Sequence, residues 1–240
     1  MAKKNIVVAG CSKGIGKCIF EHLNCSEYQP IGISRSKLLL DNTFSGDLSN
    51  PHDIENLGRI IESGYSCLNG LIYVAGITGI HQNSKPLKTS IQNIREFTTI
   101  LDTNLLAAYR LIYRLNDMFS DNASIIFISS IGSKQAFSQN PGYQVSKAGL
   151  EALSRSIAYD FRHRSIRSNT IRMGYFKTDM TIDSYENQQA QIARTNRTLL
   201  DRWGEPDDII GSVLFLLSDQ SSYITASVIT IDGGWLAKGI

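Results

Sequence analysis

The chain has 240 residues, a formal net charge of +2, and 42% hydrophobic against 19% charged residues. A chain this long can withdraw roughly 70–75% of its unfolded surface from water, so its core needs no metal or disulfide staple. That composition excludes general disorder, and the near-neutral total gives no sign of a nucleic-acid partner. No apolar run approaches the roughly 18 residues of a membrane-spanning helix. The densest is Val213-Leu214-Phe215-Leu216-Leu217, and no membrane partner is expected. Four cysteines (Cys11, Cys18, Cys25, Cys67) form no C-x-x-C pair and the histidines are scattered. No metal site or disulfide framework is expected, and a reducing, cytoplasmic setting is. The first apolar run ends at Gly10, too short for a secretory segment. The basic cluster Arg162, His163, Arg164 and Arg167 follows a helical stretch and reads as a solvated helix end that complements the dipole.

In chain order, residues 5–9 read as a buried strand, after which Ile15, Ile19 and Leu23 mark a helix. Residues 31–34 form a second strand and 43–46 a short third. Pro51 suits a first helical turn, and Ile54, Leu57, Ile60 and Ile61 give that helix an apolar stripe. Residues 71–75 are a fourth strand, about 91 to 119 a long helix, and 124–128 a fifth strand. Then follow a helix over 143–161, a strand over 166–171, a helix over 206–217 and a last strand over 228–231. The polar stretch 179–196 is helical in pattern but weakly apolar, suited to covering a site or to plain surface. Such alternation predicts an α/β fold: one doubly wound parallel sheet of six to seven strands with helices on both faces. With no repeat, low-complexity tract or linker, residues 1–240 read as a single domain.

The first strand leads into Gly10-Cys11-Ser12-Lys13-Gly14-Ile15-Gly16 and then a helix. Three glycines are often only a tight turn. Between a strand and a helix they let the backbone approach a pyrophosphate, which rests on the helix's unpaired N–H groups. NAD sites commonly place an acid at the end of the second strand, for the ribose 2′-hydroxyl. Here that strand runs into Ser34-Arg35-Ser36-Lys37. Arg35 and Lys13 are either two solvated cations or the pair that meets a 2′-phosphate, which points to NADP(H) ahead of NAD(H).

Tyr143-Gln144-Val145-Ser146-Lys147 places a phenol and an ammonium one helical turn apart. The ammonium is expected to pull the phenol below its reference pKa of about 10 and fit it for proton exchange with an alcohol or carbonyl oxygen. The motif alone is weak: with 10 tyrosines, chance supplies roughly half a Y-x-x-x-K per chain. Ser130, just past the fifth strand, adds context, because ligands of parallel sheets sit at the carboxyl ends of strands.

The glycine turn, Ser130 and the Tyr143/Lys147 pair together resemble the short-chain dehydrogenase/reductase family, over essentially the whole chain. Several further motifs fall in register. Asp47-Leu48 matches the step that holds the adenine ring, and Asn104 the asparagine that completes a catalytic tetrad with Ser130, Tyr143 and Lys147. Arg202-Trp203-Gly204-Glu205-Pro206 and Ile231-Asp232-Gly233-Gly234-Trp235 resemble late signatures of the 3-oxoacyl-carrier-protein-reductase branch. The resemblance implies a Rossmann-like domain and cofactor contacts from Gly10, Ser12, Lys13, Gly14, Ile15, Gly16, Arg35, Asp47, Leu48, Ala75, Gly76, Gly174, Phe176 and Thr178, besides Tyr143 and Lys147. It also implies hydride transfer to a small-molecule carbonyl. Tyr143 would protonate the oxygen and Ser130 orient it, while Lys147 would bind the nicotinamide ribose and Asn104 support a water-linked proton path. A homo-oligomer, dimer or tetramer, follows by the same analogy.

Two places depart from the family pattern. Tyr73-Val74-Ala75-Gly76 stands where Asn-Asn-Ala-Gly is usual, and Met173-Gly174 where Pro-Gly is; Phe176 replaces a branched aliphatic. They keep open the reading of a non-catalytic NADP(H)-binding sensor or scaffold; an NAD-dependent alcohol dehydrogenase working in the oxidative direction is a separate rival. Substrate choice is expected from loops 77–90, 131–142 and 175–200, where Phe137, Tyr175, Phe176 and Tyr185 are either pocket or packing.

Overall fold

Seven strands pair side by side into one sheet in the computed structural model, which describes residues 3–79, 92–138 and 140–238. They are β1 (Lys4–Ala9), β2 (Tyr28–Ser34), β3 (Thr43–Ser45), β4 (Leu68–Tyr73), β5 (Phe119–Ser130), β6 (Arg167–Met173) and β7 (Val228–Ile231). Their order is β3-β2-β1-β4-β5-β6-β7, every neighbouring pair parallel. The helices are α1 (Gly14–Asn24), α2 (Pro51–Gly64), α3 (Ile94–Leu101), α4 (Ala107–Arg114), α5 (Pro141–Asp160), α6 (Ile182–Glu186), α7 (Gln188–Thr195) and α8 (Ile210–Leu217).

Each central strand buries both faces, as parallel sheets require. Val7 and Ala9 join Leu57, Leu111, Leu150 and Ile157 from α2, α4 and α5 on one side. Ile6 and Val8 join Ile19, Leu23, Val213 and Leu216 from α1 and α8 on the other. Because β2 and β4 lie on opposite sides of β1, the chain leaves the sheet in opposite directions there and opens a crevice at the carboxyl ends.

The boundaries that shift have local causes. β2 starts at Tyr28, ahead of Pro30 and earlier than the expected residue 31. β3 pairs only with Gly32–Ser34, so Pro30 occupies a stretch of β2 that is still a sheet edge. β4 starts earlier, through Gly70, where a Cβ would stand 2.6 Å from the Ser124 carbonyl oxygen. It also ends earlier, because the N–H groups of Val74 and Ala75 both turn to the Ala9 carbonyl, at 2.9 Å each. The long helix expected from about residue 91 (itself outside the described residues) is broken by a π-helical turn, Asp102–Leu106, between α3 and α4.

Candidate active site

One cleft at the carboxyl ends of β1, β4 and β5 is lined by every residue expected to touch the cofactor, from Gly10 to Thr178. Its floor at one end is the turn into α1. Gly10 has φ +98°, and a Cβ there would lie 2.7 Å from the Ala75 nitrogen; a Cβ on Gly16 would lie 1.9 Å from the Gly10 oxygen. Only glycine lets the turn, the helix and the 75–76 loop close on one another. No side chain caps α1 and no acid occupies its first turn, so the helix offers its first N–H groups to an anion. Lys13 and Arg35 are exposed on the same cleft, and neither forms an ion pair with a carboxylate among the described residues. Asp47 is held as a carboxylate chiefly by Ser49, whose hydroxyl and N–H donate to Oδ1 at 2.7 and 2.9 Å, with Arg35 reinforcing against the cost of burial. This end has the cradle, the N–H groups and the cations that the phosphates of a nicotinamide dinucleotide fit.

At the other end, β5 delivers Ser130, whose Oγ accepts the Gly132 N–H at 3.1 Å and is thereby fixed at the mouth of a 3₁₀ turn. α5, started by Pro141, carries Tyr143 and Lys147 into the cleft. The Lys147 ammonium donates to the Ile128 carbonyl at 2.8 Å and stands 5.6 Å from the centre of the Tyr143 ring. Burial dominates both groups. It brings Lys147 down from an ordinary 10.5 to about 8 and pushes Tyr143 up, with the neighbouring Ser130 hydroxyl working against that rise. The expected depression of the phenol by Lys147 is therefore corrected. An ammonium that is itself destabilised by desolvation contributes little, and the phenol stays protonated across neutral pH.

Asn104 lies in the π-helical turn, fully buried, behind the cleft. Its Oδ1 accepts the Ile77 N–H at 2.8 Å, and its Nδ2 donates to the Ile77 carbonyl at 2.9 Å and to Ser146 Oγ at 3.0 Å. A Cβ on Gly76 would crowd Asn104 Oδ1 at 3.3 Å and stand in ordinary contact with Lys147 Nζ at 3.6 Å. The Asn104 amide thus fastens the 76–77 loop beside Lys147; in this arrangement it does not face the cleft.

Several contributors escaped the sequence reading. Glu151, one turn beyond Lys147, is buried and takes a two-pronged contact from Arg172 of β6, Nε to Oε1 at 2.9 Å and Nη2 to Oε2 at 2.8 Å. Burial disfavours its charge, but Arg172 and the hydroxyls of Ser133 and Ser129 outweigh that and hold it ionised. Ser129 Oγ also reaches the Lys147 carbonyl at 3.1 Å, tying α5 to the end of β5. The Lys147–Glu151 spacing was the available signal, but a glutamate at i+4 from a lysine reads as a solvated pair.

The departures from the family pattern prove to be packing solutions. Tyr73 is fully buried and its hydroxyl donates to the Thr103 carbonyl at 2.6 Å, holding the turn that carries Asn104. Met173 is buried in the core and also lines the cleft. Phe176 is buried against Gly204, where a Cβ would stand 2.8 Å from its ring. Of the specificity loops, residues 80–90 and 139 lie outside the described residues. Away from the cleft, Cys18, His22 and Asp207 meet within 4.8 Å, a cluster the sequence did not foretell. Burial and then Asp207 raise the Cys18 thiol to about 12, and it donates to Asp207 Oδ1 at 3.3 Å as a plain hydrogen bond.

Residues 34–236 match the family model described as Enoyl-(Acyl carrier protein) reductase. The chain is 33% identical over 250 residues to the 3-oxoacyl-(acyl-carrier-protein) reductase FabG of Rickettsia conorii, covering 97% of each chain. It is 28% identical over 252 residues to a tropinone reductase homolog of Arabidopsis thaliana, covering 100% of this chain and 94% of that one. Among solved structures, a short chain dehydrogenase family protein from Francisella tularensis superposes with a TM-score of 0.86 at 30% identity, covering 98% of this chain and 100% of that one. With these similarities added to the parallel sheet and its cleft, the chain belongs to the short-chain dehydrogenase/reductase family and is an oxidoreductase of CH–OH and C=O groups.

Proposed function

We propose that this protein interconverts a ketone and a secondary alcohol with NADP(H), using Ser130, Tyr143, Lys147 and Asn104. The observation that carries the reading is the pairing of two ends of one cleft. Neighbouring Ser130 and Tyr143 hydroxyls stand at one end, and Lys13 and Arg35, cations with no carboxylate partner among the described residues, at the other. Bound along this cleft, the dinucleotide would supply or accept the hydride. The chain's own part is protonic and electrostatic. Tyr143, held protonated by burial, gives its proton to the carbonyl oxygen, and Ser130 donates a hydrogen bond to the same oxygen as charge develops there. Lys147, near 8, holds a proton that it can give up around neutral pH to restore the phenol. Asn104 acts as a positioning residue through the 76–77 loop.

Lys13 and Arg35 would bind the 2′-phosphate, which the absence of an acid after β2 leaves unopposed. The same proposal makes the chain a single catalytic domain that acts in the cytoplasm, its four cysteines unpaired. It assembles as a homo-oligomer through the exposed tyrosines Tyr109, Tyr113 and Tyr159 of α4 and α5. No helix among the described residues is long and apolar enough to cross a membrane.

The test is Tyr143→Phe, assayed with NADPH and a panel of ketones. Turnover is expected to fall about 10³-fold or more, with NADPH binding by cofactor fluorescence retained. Robust turnover in this variant refutes the assignment.

A further inference from the structure

Three of the four aromatic residues singled out in the specificity loops gather at one place. Tyr175 packs 6.5 Å from Phe137, 4.8 Å from Trp235 and 5.2 Å from Trp203, and Trp203 lies 5.3 Å from Tyr185. Phe137, Tyr175 and Trp235, with Ala193 and Arg194 of α7 and with Arg197, wall a second cavity of about 430 Å³ that shares no lining residue with the dinucleotide cleft. The wall of this cavity comes near the catalytic hydroxyls at Gly132, which lies between Phe137 and Ser130. A Cβ built on Gly132 would lie 2.9 Å from the Phe137 ring and 3.5 Å from Ser130 Oγ. Tyr175, on the opposite wall, is close enough to Tyr143 to disfavour its ionisation, a smaller influence than burial. A substrate whose carbonyl sits between Ser130 and Tyr143 has this cavity in which to extend away from the cofactor.

Two guanidinium groups border the cavity. Arg194 stacks over Tyr175 at 4.7 Å and over Trp203 at 5.8 Å, and Arg197 over Trp235 at 4.9 Å. Neither forms an ion pair with a carboxylate among the described residues, and Arg194 Nη1 is buried with no hydrogen-bond partner there. A buried, unsatisfied donor is costly. Stacked rings fix the guanidinium plane, and two donors on one edge match an oxyanion. We propose that Arg194, assisted by Arg197, receives an oxyanion tail of the substrate, a carboxylate or a phosphate remote from the reacting carbonyl. The substrate class is then an anionic ketone or hydroxy acid, not a neutral ketone. This rests on the reductase reading for the position of the carbonyl, while the anion site stands on its own geometry.

The experiment uses the full-length protein. Oxo acids of increasing chain length are compared with their methyl esters, and hydroxyacetone phosphate with hydroxyacetone. Each is read by NADPH consumption and by quenching of tryptophan fluorescence. The second readout needs no catalysis, because the chain's 2 tryptophans, Trp203 and Trp235, both lie beside Arg194 or Arg197. The charged member of a pair is expected to be favoured by roughly 10–100-fold in kcat/KM at the fitting length, the worth of one charge-assisted hydrogen bond. In Arg194→Met, which keeps the stem, that ratio falls toward one and quenching by the charged member is lost; Arg194→Lys recovers part of it. Preference confined to the phosphate pair, or to the acids, identifies the tail. Equal handling of charged and neutral members in both readouts overturns the proposal, as does a preference that survives in Arg194→Met. Quenching that depends on Arg194 without turnover of any ketone upholds the anion site and sinks the reductase reading instead.

Discussion

At the glycine-turn end of the cleft, Lys13 and Arg35 stand in solvent with no carboxylate partner among the described residues. At the α5 end, Lys147, Glu151 and Asn104 are buried, and each is fastened by hydrogen bonds to a neighbouring element. Exposed charges cost little to keep and act only when a ligand takes them out of water. Buried ones are part of the fold, so their geometry is set before any ligand arrives and cannot be altered without disturbing stability. Substitutions at the first end are therefore expected to change affinity alone, and at the second both stability and rate.

The largest expected effect is Glu151→Ala. It strands the Arg172 guanidinium, which is only 11% exposed, without its carboxylate. Breaking a buried pair costs about 3–5 kcal/mol, and in a domain of this size that lowers Tm by about 10 °C. Thermal unfolding measures it. A loss no greater than that of Arg35→Ala would erase the contrast between the two ends.

Next is Lys147→Met, with the opposite sign. Lowering a lysine from 10.5 to about 8 means that the folded state releases a proton more readily than the unfolded state. The penalty is thus fully present below about 8 and vanishes as pH rises to 10.5. Removing the amine should stabilise the fold at pH 7 by roughly 3 kcal/mol at most, less the hydrogen bond to Ile128. The gain should close as the pH approaches 10.5. Chemical denaturation of both proteins across that range reads it out; a gap that widens with pH contradicts the burial argument.

Smaller again are Arg35→Ala and Lys13→Ala. Each should weaken NADPH by about tenfold or more, leave NADH nearly unchanged, and become less damaging as salt rises. Tm should stay within about 1 °C, as for surface substitutions generally. Equal losses for both cofactors would detach these cations from the 2′-phosphate.

The contrast also explains what could be read from the sequence. The sheet was legible because strands buried on both faces are short apolar runs, and the cleft residues because each follows the carboxyl end of a strand. Lys13 and Arg35 needed no tertiary information beyond that. The π-helical turn was hidden, since one extra residue per turn leaves the apolar spacing of α3 and α4 nearly intact. The sign of the Tyr143 shift was misjudged because spacing reveals a neighbouring charge but not the burial that overrides it. Glu151–Arg172 was invisible because its partners sit on different elements, 21 positions apart.

Tyr73 lies on the boundary between the two kinds of residue, and Tyr73→Phe gives the finest test. The ring is part of the core and stays in place, so only the hydroxyl's bond to the Thr103 carbonyl is lost. One buried acceptor left unpaired costs about 1–2 kcal/mol, a few degrees in Tm. The functional consequence passes through the π-helical turn: Thr103 precedes Asn104, and Asn104 fixes Ile77 beside Lys147. The expected result is a several-fold lower kcat with NADPH affinity unchanged, because Lys13 and Arg35 are untouched. Loss of Tm with kcat intact would show that the turn keeps its shape without the phenol, so that Tyr73 serves packing alone.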